Sequence, residues 1–187
     1  YITASVDASS PDTAIVSDSQ TIDSAAYKFS AVTSGFNVTD LTLTFGGSNA
    51  ATVIQNVMLY DGATLLASQA GGAASLTFSG LSWNVPANTS KVLTVKVQLG
   101  SVGLGAGSTA SDITTTLDVY TATSTSTGVA DASAVDSGQS REAASLAGEA
   151  IYTFAGVPTI TQGSVSSILT NAIENDVYKF VVTPNGG

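Results

Sequence analysis

The 187-residue chain contains no cysteine and no histidine. Without a thiol there is neither a disulfide nor a cysteine nucleophile. Without an imidazole, the usual general base near neutral pH and the commonest metal ligand are both missing. Thiol proteases, Ser-His-Asp hydrolases and ordinary zinc sites are thereby excluded. Basic residues are scarce as well: 5 Lys and Arg stand against 14 Asp and Glu, for a net charge of -9. A nucleic-acid binder neutralises phosphates with clustered Lys and Arg, so nucleic acid is not an expected partner, and an anionic membrane surface is disfavoured for the same reason. No apolar run approaches the roughly 20 residues needed to span a bilayer, so no transmembrane segment is expected in this chain. The absence of cysteine is compatible with export without demonstrating it. The chain opens at Tyr1 with no signal-peptide pattern, which points to a processed mature protein or an excised piece.

What the chain does have is a β-forming palette. Hydrophobic residues make up 43% and charged ones only 10%, and Ser with Thr supplies roughly a quarter, well above ordinary globular usage. Apolar residues recur at period two between turn signals, the mark of half-buried strands. In 25–32 the alternation puts Tyr27, Phe29 and Ala31 on one face and Lys28 and Ser30 on the other. In 38–45 it turns Leu41, Leu43 and Phe45 inward. Residues 56–68 read as a hairpin about Asp61-Gly62, a dipeptide that tolerates the positive φ of hairpin turns. Leu76 with Phe78, and Leu81 with Trp83 and Val85, mark two further strands, and 91–99 sets Leu93, Val95, Val97 and Leu99 against Thr94, Lys96 and Gln98. In 113–120 the same rule gives Ile113, Thr115, Leu117 and Val119 one face. From about 121 to 149 the chain turns to Ser, Thr, Ala and Gly; its early part reads as a loop, and 140–150 has the helix formers for one turn, though a long excursion on a sandwich edge fits equally well. Residues 150–154 restore a strand, which Val157-Pro158 ends, since proline cannot continue a central ladder.

The phrase Tyr27-Lys28-Phe29 returns as Tyr178-Lys179-Phe180, each copy following an Ile-Thr start and leading into Val-Thr with a one-residue slip. Two readings account for this: a second copy of the opening strands, or two unrelated edge strands of similar composition. The first divides the chain into a domain over 1–157, carrying an insertion at about 121–149, and a segment over 158–187 that begins a second repeat or serves as a connecting or donor strand.

Taken together, YKFSAV, NVMLYDGATLLAS and VPANTSKVLTVKVQL resemble the tandem immunoglobulin-like repeats of very long bacterial cell-surface proteins, including S-layer-like and adhesin-like chains. The resemblance spans about 20–120 and restarts near 158. It implies an all-β, immunoglobulin-like Greek-key β-sandwich followed by the first strands of a second similar domain. It also implies an extracellular, cell-surface location and repeats that act as stalks, lattice units or filament subunits. It carries no catalytic residues, and the insertion at 121–149 departs from the compact repeat.

The candidate site residues follow from these readings. The expected junction and assembly residues are Val157, Pro158, Val177, Tyr178, Phe180 and Val182, because an apolar face on a strand pair alone has nothing to bury it. The partners expected are neighbouring repeats or copies of the same protein. No cofactor is expected, with calcium as the one alternative. Asp7, Asp12, Asp18 and Asp23, with Asp131 and Asp136, are candidate oxygen ligands in turn-rich sequence, but solvated turn caps are the plainer account of them. The alternative function is recognition of cell-surface glycan by a platform of Trp83 with Tyr60 or Tyr120, against which stands the position of Trp83 on the apolar face of its strand. Asp112 and Asp118 are the nearest thing to a glycosidase pair, but they share one strand and no cleft is indicated, so no enzyme is expected.

Overall fold

The computed structural model describes residues 1–103, 111–128, 145–165 and 177–184, with the backbone alone at 130–132. In chain order the strands are β1 (Ile2–Val6), β2 (Ala14–Ser17), β3 (Thr21–Ala31) and β4 (Phe36–Gly46), then the short helix α1 (Ala50–Val53). They continue as β5 (Ile54–Asp61), β6 (Thr64–Ala70), β7 (Ser75–Phe78), β8 (Trp83–Val85), β9 (Ser90–Leu99) and β10 (Ser111–Ser124). The last are β11 (Ala130–Ala132), β12 (Leu146–Ala147), β13 (Ile151–Phe154), β14 (Thr159–Gln162) and β15 (Phe180–Thr183). Among the described residues no helix is long and apolar enough to cross a membrane.

Two sheets share one core. The first runs β1-β3-β9-β5-β6; the second runs β2-β13-β10-β4-β7, with β8 beside β4 and β11 and β12 beside β10. Tyr27, Phe29, Leu59, Leu93, Val95 and Val97 from the first meet Val38, Leu41, Leu43, Phe78, Ile113 and Leu117 from the second, all buried in one cluster. The alternation in the sequence produces this directly, because successive side chains of a strand point to opposite faces. The chain is thus all-β and sandwich-like. The opening segment divides between the layers: β1 pairs antiparallel with β3, whereas β2 pairs parallel with β13. The switch between them is a turn held by Asp7, whose Oδ1 accepts from the N–H and hydroxyl of Ser9, followed by Pro11.

Gly62, at φ 59°, closes the β5–β6 hairpin where the sequence places it. Gly47, at φ 106°, is required more strictly: a Cβ there would lie 2.1 Å from the Asp112 carbonyl oxygen. The tight approach sets the corner that leads into α1, a single turn that strand periodicity does not signal.

Two expectations fail on β10. Val119 does not join the inward face, because a bulge between Leu117 and Val119 inserts one residue and turns Tyr120 into the core in its place. The start of the insertion is not a loop: β10 continues to Ser124, with Ala122 and Ser124 facing inward, since small residues at alternate positions meet the requirements of a strand. β11 and β12 then pair back onto β10. The helical turn suggested for 140–150 lies partly outside the described residues, and Leu146–Ala147, at its described end, is a strand.

Candidate functional site

The first Tyr-Lys-Phe copy shows what the motif does when its partners are present. Phe29 lies between two rings, edge-on to Trp83 at 5.1 Å and to Tyr120 at 4.9 Å between centroids. The two buried tyrosines tie the sheets together in opposite senses. Tyr27 in the first sheet donates to the Thr115 carbonyl of the second at 2.9 Å, and Tyr120 in the second donates to the Ile2 carbonyl of the first at 3.1 Å. Burial pushes the Tyr27 phenol well above the ordinary tyrosine range. Beside this cluster Asp61 Oδ2 accepts from Trp83 Nε1 at 3.0 Å and from Lys91 Nζ at 2.7 Å. Burial pushes the Asp61 carboxyl up, but the hydrogen bonds from Lys91 and Trp83 outweigh it and hold the group below its ordinary value.

The second copy sits in β14 and β15, a two-stranded sheet of its own. Ile160 faces Val182, Thr161 faces Val181 and Gln162 faces Phe180. In the first copy Ile2 faces Ala31, Thr3 faces Ser30 and Ala4 faces Phe29. With the two phenylalanines superposed, the pairings coincide residue for residue, and Ile160-Thr161 takes the place of Ile2-Thr3. The environments differ. Tyr27 and Phe29 are 0% exposed, whereas Tyr178 is 66% and Phe180 57% exposed, with Ile160 and Val182 also uncovered. The rings of Tyr178 and Phe180 lie 6.3 Å apart.

Of the expected junction residues, Tyr178, Phe180 and Val182 are in phase and share a face, and all three are exposed. Val177 precedes β15 and is exposed as well. Val157 is half-buried and Pro158 exposed in the connection between β13 and β14.

The acidic residues are dispersed. Asp7 caps its turn, and the hydrogen bonds from Ser9 lower its carboxyl. Asp12 is exposed. Asp18 Oδ2 accepts from Val102 N at 2.7 Å, and Asp23 pairs with Lys96 at 2.7 Å. The side chain of Asp131 and the whole of Asp136 lie outside the described residues. Among the described residues no group of three potential ligands gathers around a metal position. Asp112 Oδ1 accepts from Ser48 N at 2.7 Å and braces the corner at Gly47. A shallow outer cleft of about 290 Å³ runs along the bulge, lined by Asp40, Thr42, Thr77, Val119 and Thr121 among others, and Asp40 is its one carboxylate. Trp83 and Tyr120 are both in the core, which removes them from any exposed sugar-stacking platform.

No protein-family model matches the chain, and no curated protein matches it. Among solved structures, a family 123 glycoside hydrolase from Clostridium perfringens, whose structure addresses glycolipid glycan hydrolysis, superposes with a TM-score of 0.42 at 9% identity. The match covers 82% of this chain and 27% of that one, so the chain spans about a quarter of that protein's length. A likeness at that level bears on neither fold nor function.

Proposed function

We propose that the chain is a non-catalytic structural module of an extracellular, cell-surface or filament-forming protein. In this reading it is an immunoglobulin-like Greek-key sandwich over 1–157, followed by the opening strands of a second repeat. It acts by end-to-end and lateral packing against neighbouring repeats or copies, and needs no cofactor to do so. One observation carries the reading: β14 and β15 repeat the pairing register of β1 and β3 while leaving uncovered the side chains that the first copy buries. Exposed apolar strands of this kind mark interaction surfaces.

Light scattering coupled to size exclusion tests it, comparing the full chain with one ended at Gly156. The buried core lies between Ile2 and Ile151, so the shorter chain retains it whole. Association of the full chain with a monomeric shorter form is the expected result. Monomers in both cases overturn the reading.

A further inference from the structure

The repeated register also bears on which kind of strand would lie beside β15. In the first copy β3 has β1 on one edge and β9 on the other. Asp7 N donates to the Ala26 carbonyl and Val32 N to that of Tyr1, so the even-numbered residues of β3 bond toward the β1 side. The odd-numbered ones turn to the opposite edge, where Ala31 N donates to the Thr89 carbonyl. In the second copy Gly163 N donates to the Lys179 carbonyl at 2.7 Å, which places Lys179 toward β14. Alternation then turns the backbone groups of Tyr178, Phe180 and Val182 to the far edge of β15, where the two-stranded sheet ends among the described residues.

We infer that this far edge of β15 is an acceptor for an antiparallel strand with the chemistry of the first half of β9, Lys91-Val92-Leu93-Thr94, supplied by a neighbouring repeat. This rests on the packing reading and names its partner. The pairing of β3 with β9 sets the register: the incoming strand places the equivalent of Lys91 opposite Phe180 and the equivalent of Leu93 opposite Tyr178. Strand addition of this kind draws affinity from main-chain hydrogen bonds and specificity from alternate side chains. The equivalent of Leu93 extends the apolar face on which Tyr178, Phe180 and Val182 lie, and the equivalent of Lys91 shares that face. The equivalents of Val92 and Thr94 fall on the other face, the first directly opposite Lys179, as Val92 lies opposite Lys28 and Thr94 opposite Ala26 across β3 and β9.

The probe is a synthetic peptide of residues 89–100, titrated into the full chain with a scrambled peptide as control. The expected result is saturable binding of the first only, with slowed amide exchange at Phe180 and Val182. Val182→Pro removes one outward N–H at an edge position that leaves the β14 ladder intact, and weakens binding by about tenfold or more. Equal binding of the scrambled peptide, or binding that Val182→Pro does not change, overturns the acceptor. If the peptide fails to bind while the full chain still associates through 157–187, the acceptor is wrong and the packing reading stands. If neither occurs, both are wrong.

Discussion

Tyr27-Lys28-Phe29 and Tyr178-Lys179-Phe180 are the same three residues, and the strands that hold the two phenylalanines pair in the same register with strands that contain Ile-Thr. One pair of rings is sealed in the core and the other is in solvent. The difference is supplied by neighbours. β3 has β9 along its second edge and the aromatic side chains of β8 and β10 across from it, and β15 has neither among the described residues. Burial is therefore a property of the assembly around a motif, and alternation alone shows only which face is prepared for it.

The comparison is broken most sharply by truncating the two phenylalanines. Phe29→Ala removes the ring held between Trp83 and Tyr120 and is expected to cost about 3–5 kcal/mol in urea unfolding of the sandwich. Phe180→Ala in dilute, unassociated chain is expected to change that transition by less than about 0.5 kcal/mol. Comparable losses at the two positions would mean that the second copy is already packed.

A smaller effect is expected at Asp61. Asp61→Ala leaves the Trp83 N–H without its acceptor and frees Lys91, at a cost of about 1–3 kcal/mol. The carboxyl is depressed in the folded state, so its contribution is fully present above the unfolded value of about 3.9 and is lost as pH falls through the folded value. Acid titration of wild type and variant should show the stability gap closing below about pH 4. A gap that persists into strong acid would separate the cost from ionisation.

The smallest contrast is at the hydroxyls. Tyr27→Phe deletes the bond to the Thr115 carbonyl and is expected to cost about 1 kcal/mol. Tyr178→Phe, on an exposed ring, should leave thermal unfolding unchanged. A loss at Tyr178 equal to that at Tyr27 would place its hydroxyl in a buried bond.

Much of the sandwich is readable from alternation because each strand needs only its own side chains to declare a face. The inward sets of β3, β4 and β9 and the hairpin at Asp61-Gly62 are of this kind. The bulge at Leu117 is not, since Val119 and Tyr120 are both apolar enough to go inward and only the pairing with β4 chooses between them. The same holds for Ala122 and Ser124, whose composition suits a loop as well as a strand.

At the candidate surface, the repeat itself identifies Tyr178, Phe180 and Val182, while only the paired backbone shows which edge of β15 is turned away from β14. The dispersal of Asp7, Asp18 and Asp23 to separate partners likewise depends on strands far apart in the chain. The sequence by itself determined the all-β class, most core faces and the recurrence of a motif, because these follow from local periodicity. The tertiary structure alone decided the register, the bulge and the fate of each copy, because those depend on which distant strand supplies the second edge and the opposing face.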